Sequence, residues 1–250
     1  MVIGCVQQEP GPSAASAWAK VEAAQRQVCL PCLLVPQPAH AVLAGELAGA
    51  LTCFGELPPE IKRAIQMHDT GWASSDAQQI ERLRSGQAAK ALPVSFLAIS
   101  PAEVEEAWTA SINTVETFSR VGAVVVSRHF TLIAQHDRAH RRFLQAEKSR
   151  QQRLGGNPED LDRWTAALGF CDLVSLYLLS GLRSPQDFPL AHPSSPQAQT
   201  APRVNLQING NEIRFTPGTV RPGSVLTIQA LKHPLPPQGP RAETLTWQVQ

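Results

Sequence analysis

Four polar side chains stand in segments whose composition otherwise predicts a buried helical core. They are His40, the adjacent pair His68 and Asp69, and Asp172. Asp172 lies within an apolar stretch of the chain, where an uncompensated carboxylate costs free energy. We therefore expect Asp172 to have a positive partner inside the core.

Two imidazoles and two carboxylates form a mixed nitrogen and oxygen donor set. Such a set suits Mn, Fe, Co, Ni, Zn or Mg and leaves coordination positions open for water. A cation held in this way lowers the pKa of its water and polarises a phosphoryl oxygen. The residue types thus indicate a divalent metal centre with hydrolytic chemistry. A core hydrogen-bond network without metal is the alternative that the sequence leaves open.

The order of these residues resembles the HD-domain metal-dependent phosphohydrolases. His40 is followed 28 positions later by the pair His68-Asp69, and Asp172 comes far downstream. The stretches 37–47 and 68–72 are also similar to an uncharacterised bacterial domain family with the same ordered residues. The resemblance covers about residues 28–182. It implies that the four residues are metal ligands in an all-helical bundle.

The resemblance and the residues near the candidate ligands indicate further candidates for the site. Members with a second metal use additional histidines on intervening helices, and His129 lies at a suitable place. We expect His129 or its neighbour Arg128 to stabilise phosphoryl oxygens or to assist proton transfer. Asp76 is expected to orient a ligand or a water. Many HD enzymes have a Gly-Lys step after the pair, whereas here Gly71 precedes Trp72, which we expect to pack in the core.

Two other groups of residues could carry chemistry. His136 and His140 are spaced by one helical turn and could bind a metal together with His129, but no apolar segment surrounds them. Cys29 and Cys32 have the spacing of a thiol redox motif. A strand-like run rather than a helix follows them, so the sequence favours burial as small apolar residues.

Helices are expected through the middle of the chain and strands at both ends. Proline, Ser100 and Asn157 mark helix starts, and Asn209-Gly210 marks a hairpin turn. The segment 122–135 is ambiguous between a helix and a buried strand because it is rich in valine. The predicted helices cover 41–51, 58–70, 100–118, 136–153 and 157–181, and the predicted strands cover 2–6, 28–35, 204–208, 225–230 and 244–249.

These elements define an α+β chain, mainly a helical HD-like bundle with a small antiparallel sheet. Residues 1–37 hold N-terminal strands and an insert, and residues 38–183 hold a bundle of five or six helices. Residues 184–202 contain five prolines and predict a linker or an extended wrap. Residues 203–250 hold strands, which we expect to pair with the N-terminal ones.

Composition narrows the range of functions. The 250 residues have a formal net charge of +1, 43% hydrophobic residues and 17% charged residues, so the chain is globular and has no general affinity for nucleic acid. No apolar stretch reaches the length of a transmembrane helix. Five cysteines and the absence of a signal-like start favour the cytoplasm.

The sequence therefore predicts a metal-dependent phosphohydrolase that acts on a small phosphomonoester or phosphodiester, nucleotides included, through a metal-activated water. A homo-oligomer is left open. The alternative is a metal-holding or vestigial bundle that serves as a binding or regulatory module.

Overall fold

A computed structural model describes residues 1–5, 15–27, 30–84, 92–233 and 241–250. These residues form an α+β fold, as the sequence predicts, with helices and strands that share one large hydrophobic core beside a smaller second cluster. The helices are α1 (Ala17–Arg26), α2 (Gln37–Ala50), α3 (Pro59–Gln66), α4 (Ala73–Arg84), α5 (Pro101–Glu116), α6 (Arg120–Ala134), α7 (Arg141–Leu154) and α8 (Pro158–Leu179). The strands are β1 (Val2–Cys5), β2 (Cys32–Val35), β3 (Gln186–Pro189), β4 (Arg203–Asn209), β5 (Glu212–Thr216), β6 (Val225–His233) and β7 (Ala242–Val249).

The strands form one sheet in the order β1-β2-β6-β7-β5-β4-β3. The N-terminal and C-terminal strands pair as expected, because β2 runs antiparallel to β6. The sheet differs from the small antiparallel sheet that we expected in two ways. It has seven strands, and its β5 and β7 strands pair in parallel. Its last strand, β3, lies in the proline-rich segment 184–202. That strand is at the sheet edge, where a proline without an N–H group is tolerated.

Local signals explain where most helices begin. Ser100 and Glu103 form a capping box at α5, and the Asn157 side chain caps α8. The valine-rich segment becomes helix α6, because its buried face packs between other helices and this burial outweighs a small propensity penalty.

The basic segment begins its α-helix later than expected. Asp137 caps a short 3-10 turn (Arg138–His140), and α7 starts only at Arg141. His136 therefore lies before the helix, so it does not share a helical face with His140. The α-helix starts late because the Ala139 N–H donates to the Asp137 side chain, and this local hydrogen bond competes with helical pairing.

The core brings distant helices together around one point of the bundle. Helix α2 contacts both α3 and α8, and α6 contacts both α3 and α8. None of the described helices is long and apolar enough to cross a bilayer. The side chains that α2, α6 and α8 direct toward this shared region form the candidate site.

Candidate metal centre

The four side chains expected as metal ligands converge in the structure. His40 lies on α2, His68 and Asp69 lie in the turn after α3, and Asp172 lies on α8. One donor atom from each lies within 4.8 Å of the donor atoms of the other three. Both imidazoles are fully buried, and Asp172 keeps 14% of its side chain exposed. The expected convergence of these residues is confirmed.

The turn that carries His68 and Asp69 is held from two sides. Helix α3 ends at Gln66, earlier than predicted, and the Thr70 hydroxyl donates to the Met67 carbonyl at 2.9 Å. The Gly71 amide donates to the Ser111 hydroxyl on α5, also at 2.9 Å. A side chain at Gly71 would overlap the Ala107 carbonyl oxygen, so only glycine allows this close approach.

The hydrogen bonds of the two imidazoles determine which ring nitrogen carries the proton. A carbonyl oxygen can only accept, so His68 donates Nδ1–H to the Ile65 carbonyl at 2.7 Å. The Ser175 hydroxyl donates to the Asp172 backbone carbonyl at 2.8 Å, so it accepts from His40 Nδ1 at 2.9 Å. Both rings therefore direct Nε2 toward the carboxylates.

Those two Nε2 atoms lie against carboxylate oxygens. His40 Nε2 is 2.9 Å from Asp172 Oδ1, and His68 Nε2 is 3.4 Å from the same oxygen. Both nitrogens are 3.6 Å from Asp69 Oδ2. His68 Nε2 is buried and makes no hydrogen bond to any residue that the structure describes. Lone pairs on nitrogen and oxygen repel at this range, so a proton or a metal cation must lie between them.

The pKa values of the cluster reflect the same requirement. Burial alone would lower the pKa of His68, but the charges of Asp69 and Asp172 outweigh it and raise that pKa to about 9. Burial opposes the charged form of Asp172, yet the hydrogen bond to His40 and the close approach of the His68 ring hold its pKa well below the usual value. Burial raises the pKa of the Asp69 carboxyl. The metal-free cluster thus retains a proton where a cation would otherwise bind.

These residues fit a divalent metal. The donor set has two imidazole nitrogens and two carboxylate oxygens, and each imidazole is oriented through Nδ1 by a second group, as metal-binding histidines commonly are. Ser175 and the Ile65 carbonyl, which supply this orientation, were not identified from the sequence. A hydroxyl three residues after Asp172, on the same helix face, is the signal that could have revealed Ser175.

His129 borders the cluster as a neutral ring. Its Nε2 is 3.8 Å from Asp172 Oδ2, and its Nδ1 is 2.8 Å from Nε2 of His192. The Ser194 amide donates to His192 Nδ1 at 3.2 Å, so His192 donates to His129, which directs Nε2–H toward Asp172. Burial lowers the pKa of His192 to about 4 and that of His129 well below its usual value. Sequence reasoning missed His192, because nothing in its proline-rich segment links it to α6.

The structure does not bring Arg128 to the cluster. Arg128 forms an ion pair with Asp162 and borders a different cavity. Successive residues of a helix point about 100° apart, so the orientation of His129 toward the cluster turns Arg128 away from it. The expectation that Arg128 contacts a phosphoryl oxygen therefore has no support in the geometry.

Asp76 supports a helix and does not contact the ligand set through any described hydrogen bond. One of its oxygens accepts a hydrogen bond at 2.6 Å from the backbone N–H of Gln37, the first residue of α2. The other lies 2.9 Å from the amino group of Met1. Pro36 before α2 offers no side-chain acceptor, so Asp76 from α4 caps the helix that carries His40.

We expect Asp76→Ala to lower the free energy of unfolding by about 2 kcal/mol, because the backbone N–H of Gln37 would stay buried without an acceptor. Urea denaturation measures this loss. Glu81→Ala on the same helix, where the carboxylate is 68% exposed, is the matched control and should change stability by no more than about 0.5 kcal/mol. An equal effect of the two substitutions would contradict the capping role.

A cavity of about 420 Å³ opens onto the cluster. His40, Asp69 and Asp172 contribute to its wall, together with Trp72, which is 2% exposed. Trp72 thus packs in the core, as expected, and also borders the cavity. A ligand in this cavity would reach the donor atoms of the cluster.

The competing groups find less support. Among the described residues, no group that could hold a metal includes His136 or His140, and His140 instead pairs with Glu105 at 2.9 Å. Cys29 lies outside the described residues. Burial raises the pKa of the Cys32 thiol to about 11, which disfavours the thiolate that redox exchange requires.

Fold and site together define an α+β protein with a buried cluster of two histidines and two aspartates that could hold a metal ion. The chain belongs to the family described as "Protein of unknown function (DUF3891)", whose sequence profile matches residues 25–225. That range contains the whole cluster as well as His129 and His192. Comparison with curated proteins and with solved structures found no significant match.

Proposed function

We propose that the protein is a metal-dependent phosphohydrolase of the HD type, acting on a phosphomonoester or a phosphodiester. The observation that carries the proposal is the pair of inward-directed Nε2 atoms, held against the Asp69 and Asp172 carboxylates at the wall of a cavity. The metal is one of Mn, Fe, Co, Ni, Zn and Mg, which this donor set accommodates. The order of the four residues, similar to that of HD-domain enzymes, supports the same conclusion.

Each residue of the cluster has a distinct task in this proposal. His40 and His68 present Nε2 in the neutral tautomer, because Ser175 and the Ile65 carbonyl hold Nδ1–H. Asp69 and Asp172 supply the negative charge that balances a divalent cation. The cation would lower the pKa of a coordinated water and polarise the phosphoryl oxygen. His129 directs a neutral N–H toward Asp172 and orients that carboxylate.

The proposed setting is the cytoplasm, with a small-molecule phosphoester as substrate and neither nucleic acid nor a membrane as partner. The near-neutral net charge of +1 is consistent with a protein that has no nucleic-acid or membrane partner. A binding or regulatory module that holds a metal without turnover is the alternative outcome of the experiment below.

The test is phosphate release from a panel of phosphomonoesters and phosphodiesters by protein loaded with Mn or Mg. We expect Asp69→Asn to lower turnover at least about 100-fold, because it removes a charged ligand and leaves the fold intact. Asp187→Asn, an exposed aspartate hydrogen-bonded to Asn205 at 2.8 Å, is the matched control and should retain activity. A metal-loaded protein that hydrolyses no member of the panel would contradict the proposal and favour the non-catalytic module.

A further inference from the structure

The wall of the cavity beside the cluster is mainly aromatic and aliphatic. Its volume of about 420 Å³ suits a small organic molecule. Aromatic rings line this wall from α1, the turn after α3, the segment before α5, and helices α5 and α6. The aromatic residues are Trp18, Trp72, Phe96, Trp108 and Phe130.

The charges on this wall disfavour a polyanion. Among the described residues that line the cavity, none is lysine or arginine. The other ionisable side chains of the wall, beyond the cluster and His129, are the carboxylates Glu22 and Asp137 and the imidazole of His140, which pairs with Glu105. Glu22 pairs with Arg26 at 2.8 Å, which offsets the negative charge of Glu22 and leaves Arg26 without a free charge to offer a ligand. A second or third phosphate would therefore lose its hydration without gaining a cationic partner.

Two polar atoms of cavity-lining residues make no hydrogen bond within the described part of the chain. They are Nε1 of Trp72 and Oε1 of Gln37, on side chains that are 2% and 3% exposed. Buried polar groups of a protein are normally paired, so these two atoms are open to a hydrogen bond with a ligand group that reaches them. Because the wall has few such polar atoms, it is complementary to an organic group that carries few hydroxyls.

Trp18 provides an exposed aromatic surface at this place. Its side chain is 38% exposed, on helix α1, and it borders both the first cavity and a neighbouring one of about 430 Å³. An indole in such a position offers a face on which a planar ring can stack. Trp18 is therefore the residue whose removal tests the chemical nature of the ligand with least risk to folding.

We propose that the site is specific for phosphoesters with a single phosphoryl group on an aromatic, uncharged alcohol. This inference rests on the proposed function, since it takes the cluster as the place where the phosphoryl group is held. The charge of one phosphoryl group is met by the cation at the cluster, and the aromatic wall receives the remainder of the molecule. Nucleoside diphosphates and triphosphates should bind poorly, because the described residues of the wall include no lysine or arginine to meet their additional charge.

The experiment compares non-hydrolysable phosphonates by calorimetry on the metal-loaded full chain. The probes are methylphosphonate, phenylphosphonate and 4-carboxyphenylphosphonate. We expect phenylphosphonate to bind about tenfold more tightly than methylphosphonate, because its ring is buried in the apolar wall. The added carboxylate should cancel most of that gain. Equal affinities for the first two probes, tighter binding of the carboxylate, or no binding of any probe would overturn the proposal.

Variants locate the preference at the aromatic wall. Trp18→Ala should reduce the ratio of phenylphosphonate to methylphosphonate affinity about threefold to tenfold, and Trp18→Phe should retain most of it. Val225→Ala removes an apolar side chain that is 56% exposed on β6 and should leave the ratio unchanged. An unaltered ratio in Trp18→Ala would contradict the assignment.

The binding result and the turnover result are independent. Tight phenylphosphonate binding without hydrolysis of phenyl phosphate or of any other member of the panel would refute the proposed function and leave the ligand preference standing. Equal turnover of methyl and phenyl phosphate with equal phosphonate affinities would support the function and refute the preference.

Discussion

Asp172→Asn should abolish stoichiometric metal binding by the purified protein. Asp172 Oδ1 is the oxygen that both Nε2 atoms approach, at 2.9 Å from His40 and 3.4 Å from His68. The substitution keeps the shape of the side chain but removes its charge, and an amide can direct N–H toward the same two nitrogens. Loss of groups that only orient metal ligands already weakens metal binding 10–100-fold, so we expect a loss of at least about 100-fold here.

Elemental analysis after dialysis, together with titration of Mn or Zn into metal-free protein, measures this effect. Asp162→Asn is the matched control, because Asp162 is on the same helix, is 68% exposed and pairs with Arg128. The control should bind the metal as the unaltered protein does. Full metal content in Asp172→Asn, with a normal circular dichroism spectrum, would show that the cluster is not a metal site.

Gly71→Ala should destabilise the fold strongly. The new methyl group would overlap the Ala107 carbonyl oxygen and lie 2.8 Å from the Ser111 amide nitrogen. Both are backbone atoms in the middle of α5, which cannot shift without breaking helical hydrogen bonds. We expect a loss of roughly 3 kcal/mol in the free energy of unfolding, at the upper end for an added methylene group.

Urea denaturation with and without bound metal measures this loss. Gly49→Ala is the matched control, since an added Cβ there meets no atom of the described chain within 4 Å and the position is inside α2. That substitution should raise stability by about 1 kcal/mol through helix propensity. Similar stabilities of the two variants would show that the turn after α3 is less tightly packed against α5 than the structure indicates.

The cluster of two histidines and two aspartates could be predicted from sequence because its members conflict with their surroundings. Asp172 in an apolar helix, and the pair His68-Asp69 directly after a helix with a buried apolar face, each require compensation, and the same partner can satisfy both. That requirement is local and can be recognised without coordinates. The convergence of the four side chains followed from it, together with the familiar order of the residues.

Other features depend on distances that the sequence does not encode locally. Arg128 is next to His129 in sequence but faces Asp162, and His192 contacts His129 across 63 residues. The parallel pairing of β5 with β7 likewise depends on strands that are far apart in the chain. Local strand patterns indicate that a strand forms but do not specify its neighbour.

His40 and Asp172 are separated by 132 residues of chain, and the turn with His68 and Asp69 belongs to neither of their helices. A cation shared among these three segments would act as a cross-link that exists only in the complete native chain. Its binding energy would add to folding stability through mass action, so the melting temperature would rise with free metal concentration and fall on chelation. Fragments that lack α8 would gain no such protection.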